Sequence, residues 1–112
     1  MKTYIEPGHI VTLSAPYAVA SGDGLLVGSL FGVATHNAAN GADVETQLTG
    51  IVDMAKAPSQ AWTVGAKVYW DNTAKVATIT ATGNVLIGAA MLAVGNTAGE
   101  TIGRVRLNGS VA

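Results

Sequence analysis

The sequence predicts an all-β fold, a small single-domain β-barrel or β-sandwich of short strands. Turn signals rich in glycine, asparagine and aspartate recur about every 8 to 12 residues, the spacing typical of such folds. The segments between them are apolar and rich in valine, isoleucine and threonine, which favour strands. No segment longer than about ten residues combines helical periodicity with capping residues. We therefore expect residues 1–112 to form one β domain, with residues 1–8 as an extended N-terminal arm.

The first half of the chain is predicted to contain three strands. One covers residues 9–14, between two prolines. Residues 25–34 are expected to form a single bulged or bent strand, because Gly28 and Gly32 interrupt their apolar run. Residues 43–49 alternate: positions 44, 46 and 48 share one face, and Glu45 and Gln47 share the other. This alternation is typical of a half-buried strand.

The second half is predicted to contain further strands at 51–54, 68–70, 75–82, 85–93 and 101–107. The continuous apolar run at 85–93 predicts a central strand buried on both faces, with a short buried helix as the alternative. In the last strand, Val105 and Leu107 are expected to point inward and Arg104 and Arg106 outward.

The composition indicates a protein that works in an assembly. Only 12% of the residues are charged and 49% are apolar, so we expect exposed apolar patches, which usually mark contact sites. The net charge is −1, and Arg104 and Arg106 are the one close basic pair, so no nucleic-acid partner is expected. The longest apolar runs, 24–34 and 85–94, reach about half of the ~20 residues that cross a bilayer, so no membrane partner is expected either.

No pattern of reactive side chains predicts catalysis, a cofactor or a metal. There are no cysteines, and His9 and His36 lack metal-ligand spacing, so both are expected to be exposed edge or loop residues. The seven carboxylates are scattered singly, and neither a nucleophile elbow nor a phosphate-binding P-loop occurs. We therefore expect a protein that is not an enzyme and has no cofactor.

The aromatic residues Trp62, Tyr69 and Trp70 are concentrated in one segment. Such residues can form a stacking platform for a ligand, or they can lie in the core or in a subunit interface. Because few basic residues surround them, the core or interface interpretation is favoured. The alternative function is a glycan- or surface-binding module that uses Trp62 and Trp70, and it requires exposed indoles.

The chain resembles the small capsid cement, or head decoration, proteins of tailed phages and prophages. The resemblance extends over nearly the full length, and its most specific parts are the V-Y-W-D and R-L-N-G motifs. It is carried by segments 4–8, 28–34, 65–71, 83–88 and 104–109. Some relatives carry a recombinase-like label, which the missing P-loop argues against here.

This resemblance implies a β-rich structural virion protein, assembled as a homotrimer, that binds the major capsid protein on the outside of the head. It implies synthesis in the cytoplasm of the bacterial host, a location on the capsid exterior and no active site. We expect the arm to contribute to contact with the capsid or with other subunits, because terminal segments order on docking. The candidate contact residues are Tyr4, Ile5, Pro7, Trp62, Tyr69 and Trp70.

Overall fold

The computed structural model describes residues 10–108, and the arm predicted at residues 1–8 lies outside them. Within residues 10–108 there is no helix, and the strands form two antiparallel sheets. The strands are β1 (Ile10–Ser14), β2 (Gly24–Val27), β3 (Leu30–Ala34), β4 (Asp43–Gln47), β5 (Thr49–Ala55), β6 (Lys67–Asp71), β7 (Val76–Thr78), β8 (Val85–Ala90) and β9 (Ile102–Asn108). The all-β prediction is confirmed.

The first sheet has the strand order β1-β4-β3-β2. The expectation of one bent strand over residues 25–34 is wrong, because these residues form the β2–β3 hairpin. Val27 pairs with Leu30, so Gly28 and Ser29 are the whole turn. Gly28 has a φ of +59°, and a glycine at the first position of a two-residue turn matches the twist of the flanking strands.

The second sheet has the strand order β5-β9-β8-β6-β7, so β8 is central, as predicted. Its predicted burial on both faces is wrong. Leu86 is 39% exposed, and the strand ends at Ala90, after which Met91 and Leu92 are exposed. The outer side of this sheet is open because the first sheet packs against its inner side alone.

The second sheet curls into a half-barrel. Lys56, directly after β5, forms a parallel bridge with Ala77 of β7, which brings the two edge strands of the sheet together. A β-bulge between Val68 and Tyr69 in the β6–β8 pairing adds to the bending. The curled sheet thereby encloses most of the hydrophobic core.

The main core joins the two sheets. Phe31 and Val33 of β3 pack with residues from the inner side of the half-barrel, and the rings of Phe31 and Trp70 lie 5.0 Å apart. Trp62 and Trp70 are 1% and 2% exposed, so both indoles belong to this core. Burial of side chains this large dominates the stability of a small domain.

A second, smaller cluster lies on the opposite face of the first sheet. Leu25, Ala34 and Val44 point to it from three strands, and Val19 covers them from the loop after β1. Val19 also bridges Ala38, which ties this loop to the one before β4. The first sheet is therefore buried on both faces near β2 and β3.

Lys56 is the one buried charged side chain among residues 10–108, with 1% of its surface exposed. Its Nζ donates hydrogen bonds to the backbone oxygens of Ala57 (2.8 Å) and Glu100 (3.3 Å). The same nitrogen lies 5.6 Å from the centre of the Trp62 ring. Burial lowers the pKa of Lys56 below its ordinary value of 10.5, and the charge of Glu100 opposes this shift.

We expect Lys56→Met to leave the free energy of unfolding at pH 7 within about 1 kcal/mol of wild type, because a buried charge is exchanged for an apolar chain of similar length. Wild type should then gain stability relative to this variant as the pH rises toward 10.5. The reason is that the folded chain binds fewer protons at Lys56 than the unfolded chain does.

Urea unfolding of both proteins between pH 7 and 10.5 measures this difference. Lys56→Ala, which leaves a cavity, is the control and should cost about 2 kcal/mol or more. A difference between wild type and Lys56→Met that does not change with pH would show that the folded structure does not perturb the amine.

Candidate docking surface

The outer side of the half-barrel presents an exposed face across β5, β9 and the end of β8. Strand pairing places its residues in rows: Ile51, Arg106 and Ala89 form one, and Asp53 and Arg104 lie in the next. Met91 joins the second row, since its N–H bonds the Arg104 oxygen at 2.9 Å. We define the β5–β9 face by the residues Ile51, Asp53, Met91, Ile102, Arg104 and Arg106.

Half of the six residues that define the β5–β9 face are exposed apolar side chains. Ile102 is 59% exposed, Ile51 is 54% exposed and Met91 is 38% exposed. These three side chains lie around Arg104, and a shallow depression lined by Ile51, Asp53, Met91 and Arg104 occupies the centre. Exposed apolar groups gathered in this way indicate a contact surface.

An ion pair lies at the centre of the β5–β9 face. Arg104 donates from Nε to Asp53 Oδ1 at 2.8 Å and from a terminal nitrogen to Asp53 Oδ2 at 3.2 Å. These hydrogen bonds lower the pKa of Asp53 and raise that of Arg104. The pair fixes the direction of one guanidinium on the face.

Arg106 is exposed beside this pair, and no carboxylate among residues 10–108 forms an ion pair with it. The β5–β9 face therefore carries two guanidiniums and one carboxylate. Arginine and methionine are enriched in protein–protein interfaces, and an unpaired arginine can bind a carboxylate of a partner.

A smaller apolar tip lies at the end of the half-barrel. The antiparallel bridge between Trp62 and Val94, with the Gly65 N–H to Ala90 oxygen bond, places Val64 opposite Leu92. These two side chains are 66% and 50% exposed. The tip carries no charge of its own.

The structure separates the residues that the sequence grouped as contact candidates. Trp62 and Trp70 lie in the core, so their indoles offer no surface to a partner. The glycan-binding alternative required exposed indoles and is therefore wrong in that form. Tyr69 points to the outer side of β6 and is half-buried. Tyr4, Ile5 and Pro7 lie outside the described residues.

Three further polar residues of the described chain, Tyr17, Lys75 and His36, make structural contacts. The Tyr17 hydroxyl donates to the Gly24 oxygen at 2.6 Å, and the Lys75 Nζ lies 4.4 Å from the centre of the Tyr17 ring. Burial raises the pKa of Tyr17, and the charge of Asp23 adds to this effect. His36 is an exposed loop residue, as predicted, and its Nε2 accepts the Glu45 N–H at 3.1 Å.

Two kinds of feature are absent from the part of the chain that the structure describes. Residues 10–108 contain no group of three or more histidine, cysteine, aspartate or glutamate side chains placed to hold a metal ion. In the same part of the chain, no helix is long and apolar enough to cross a membrane.

The alternation of residues 101–107 predicted that Arg104 and Arg106 point outward, but the apolar part of the β5–β9 face was not predicted. The sequence did contain an indication of it. Ile102 has the same strand alternation as the two arginines, and Ile51 has the same alternation as Asp53, so each isoleucine shares a face with these charged residues. The position of Met91 depends on the pairing of β8 with β9, which no local pattern gives.

The described residues form a small all-β module with an exposed apolar and charged face. A family model described as phage cement protein matches residues 5–107. The chain belongs to this family, which gives it a structural role associated with the phage capsid. No curated protein and no solved structure matches the chain significantly.

Proposed function

We propose that the chain is a cement protein that binds the major capsid protein on the outside of a phage head and stabilises the closed shell. The observation that carries this proposal is the presence of two separate exposed apolar surfaces, the β5–β9 face and the apolar tip of Val64 and Leu92, on a chain of the cement family. The protein is made in the host cytoplasm, joins the virion on the capsid exterior and acts as a homotrimer without catalysing a reaction.

The physical requirement of this role is modest. A head filled with DNA fails where capsomers separate, so a subunit that bridges their junctions opposes the failure. A trimer provides three linked contacts. If each contact has a dissociation constant of about 1 mM, which is a binding free energy of ~4 kcal/mol, the three together give tight attachment, because the first contact raises the effective concentration for the others. Weak individual contacts therefore suffice.

The arm before β1 is a second part of the proposal. It carries Tyr4, Ile5 and Pro7, and it leads directly into β1, an edge strand of the first sheet. An edge strand has unpaired backbone groups that can accept a further strand. We propose that the arm contributes to the contact with the head, and deletion of residues 2–7 without loss of head binding would contradict this.

The cement role is tested by heating heads with and without the bound protein. Decorated heads should release DNA or lose their shape at a higher temperature than bare heads. The reason is that the protein binds the closed shell but not the ruptured one, and so stabilises the closed shell. An equal melting temperature for saturated and bare heads would exclude a cementing role, even if the protein binds.

A further inference from the structure

The charges of this chain are separated between its two sheets. Residues 10–47, which contain the first sheet, carry three carboxylates and no lysine or arginine. Residues 48–108, which contain the half-barrel, carry five lysines and arginines and three carboxylates. The first part has a net charge of −3 and the second of +2, since 5 − 3 = 2. Because Lys56 is buried, the surface charge comes from exposed residues: Asp43 and Glu45 lie on the first sheet, and Arg104 and Arg106 lie on the half-barrel.

Two of the three carboxylates of residues 10–47 form a strip on β4. Asp43 and Glu45 are two residues apart, exposed and on the same face, opposite Ser14 and Thr12 of β1. The next pair along this face is Ile10 with Gln47, and Ile10 is 45% exposed. We define the acidic ribbon by the residues Ile10, Thr12, Ser14, Asp43 and Glu45.

Within the acidic ribbon, hydrogen bonds fix one carboxylate and leave the other open. Glu45 accepts a hydrogen bond from the hydroxyl of Thr12. Asp43 forms no ion pair with a cation of residues 10–108. The ribbon thus presents an oriented carboxylate beside an open one, as the β5–β9 face presents a paired guanidinium beside an open one.

The two surfaces also match in spacing. Arg104 and Arg106 are two residues apart on one face of β9, as Asp43 and Glu45 are on β4. Both pairs are therefore separated by roughly 6.5 to 7 Å along their strands.

The two charged pairs can meet in two relative strand directions, and one of these directions also covers the exposed apolar side chains. If Glu45 meets Arg104 and Asp43 meets Arg106, the row of Ile10 falls on the row of Ile102. Ile102 is 59% exposed and Ile10 is 45% exposed, and this direction covers both. The opposite direction would place Ile10 beyond Arg106, over Asn108.

We propose that the β5–β9 face of one copy binds the acidic ribbon of a second copy, with Glu45 against Arg104, Asp43 against Arg106 and Ile10 against Ile102. The contact joins two different surfaces of the same chain, so a pair of copies leaves one of each surface free, and a third copy can occupy both and close a ring. The number of copies, three, rests on the trimer proposed above, and the contact itself does not depend on binding to heads.

Mass measurement by light scattering after size exclusion tests the contact. Wild type in ~50 mM salt should have the mass of three copies of the 11.3 kDa chain, about 34 kDa. Arg106→Glu should reduce the mass to that of one copy, because it places two negative charges together. The dissociation constant of wild type should rise about tenfold or more at ~500 mM salt, where exposed charges are screened.

A charge swap separates this contact from a general effect of charge. Adding Asp43→Arg to Arg106→Glu should restore the assembled mass, since each copy presents both surfaces. Lys67→Glu is the matched control. It makes the same change in net charge on β6, two strands from Arg106, and should leave the mass unchanged. Circular dichroism confirms that each variant is folded.

Three results would overturn the proposal: a wild-type monomer at ~100 µM, an assembled Arg106→Glu variant, or a swap variant that stays monomeric. The capsid role is judged separately. A monomeric Arg106→Glu variant that still binds heads supports the contact and leaves the capsid role intact. If the wild-type protein is a trimer but does not bind heads, the contact between copies is supported and the capsid role is wrong.

Discussion

Gly88→Ala is expected to destabilise the chain by about 3 kcal/mol or more, a large fraction of the stability of a small domain. A β-carbon at position 88 would lie 2.0 Å from the backbone oxygen of Arg106 and 2.9 Å from its carbonyl carbon. These are atoms of β9, and no side-chain rotation can move them away. The substitution therefore has to separate β8 from β9 at the centre of the half-barrel.

Thermal unfolding followed by circular dichroism measures this effect. Gly99→Ala is the matched control, because a β-carbon there would meet nothing within 4 Å, and it should change the stability by less than about 0.5 kcal/mol. If Gly88→Ala melted at the same temperature as Gly99→Ala, the close pairing of Gly88 with Leu107 would be wrong.

Trp70→Ala should cost about 3 to 5 kcal/mol, because it empties the contact between the two sheets. The indole is 2% exposed, lies against Phe31 and covers Gly24, where an added β-carbon would come within 2.7 Å of the ring. Its Nε1 donates to Asn72 Oδ1 at 3.0 Å, which fixes the ring orientation.

Urea unfolding followed through the remaining tryptophan, Trp62, gives the free energy of unfolding of this variant. Tyr69→Ala on the same strand is the control: its side chain is half-buried on the outer side, so the loss should be clearly smaller. A loss below about 1 kcal/mol for Trp70→Ala would mean that the first sheet does not depend on the half-barrel for its stability.

The sequence predicted those strands whose two faces differ in polarity. Residues 43–49 and 101–107 alternate, and the structure buries Val44, Thr46, Val105 and Leu107 as expected. A period of two residues fixes the face of each side chain without knowledge of the partner strand. The outward placement of Arg104, a member of the β5–β9 face, came from the same pattern.

The errors of prediction arose where the local pattern was uniform. The apolar run at 25–34 is compatible with a bulge or a turn at Gly28, and only the pairing of Val27 with Leu30 decides for the turn. The run at 85–93 is apolar on both faces, so it does not show that one face is left open. Such choices depend on contacts between distant parts of the chain.

The apolar part of the β5–β9 face was not predicted for the same reason, because it also depends on contacts between distant parts of the chain. Ile51 and Met91 reach the β5–β9 face through the pairing of β5 and β8 with β9, across more than ten residues of sequence. Their exposure follows from the position of the first sheet, which covers the inner side of the half-barrel. A short window of sequence contains neither fact.

Binding of this chain to a phage head is measured by co-sedimentation with expanded, undecorated heads of its own phage. We expect saturable binding near one copy per major capsid subunit, or a fixed fraction of that number. The heat-unfolded chain serves as the control for non-specific adsorption. If the folded protein stayed in the supernatant while the heads were intact, the cement function proposed here would be wrong.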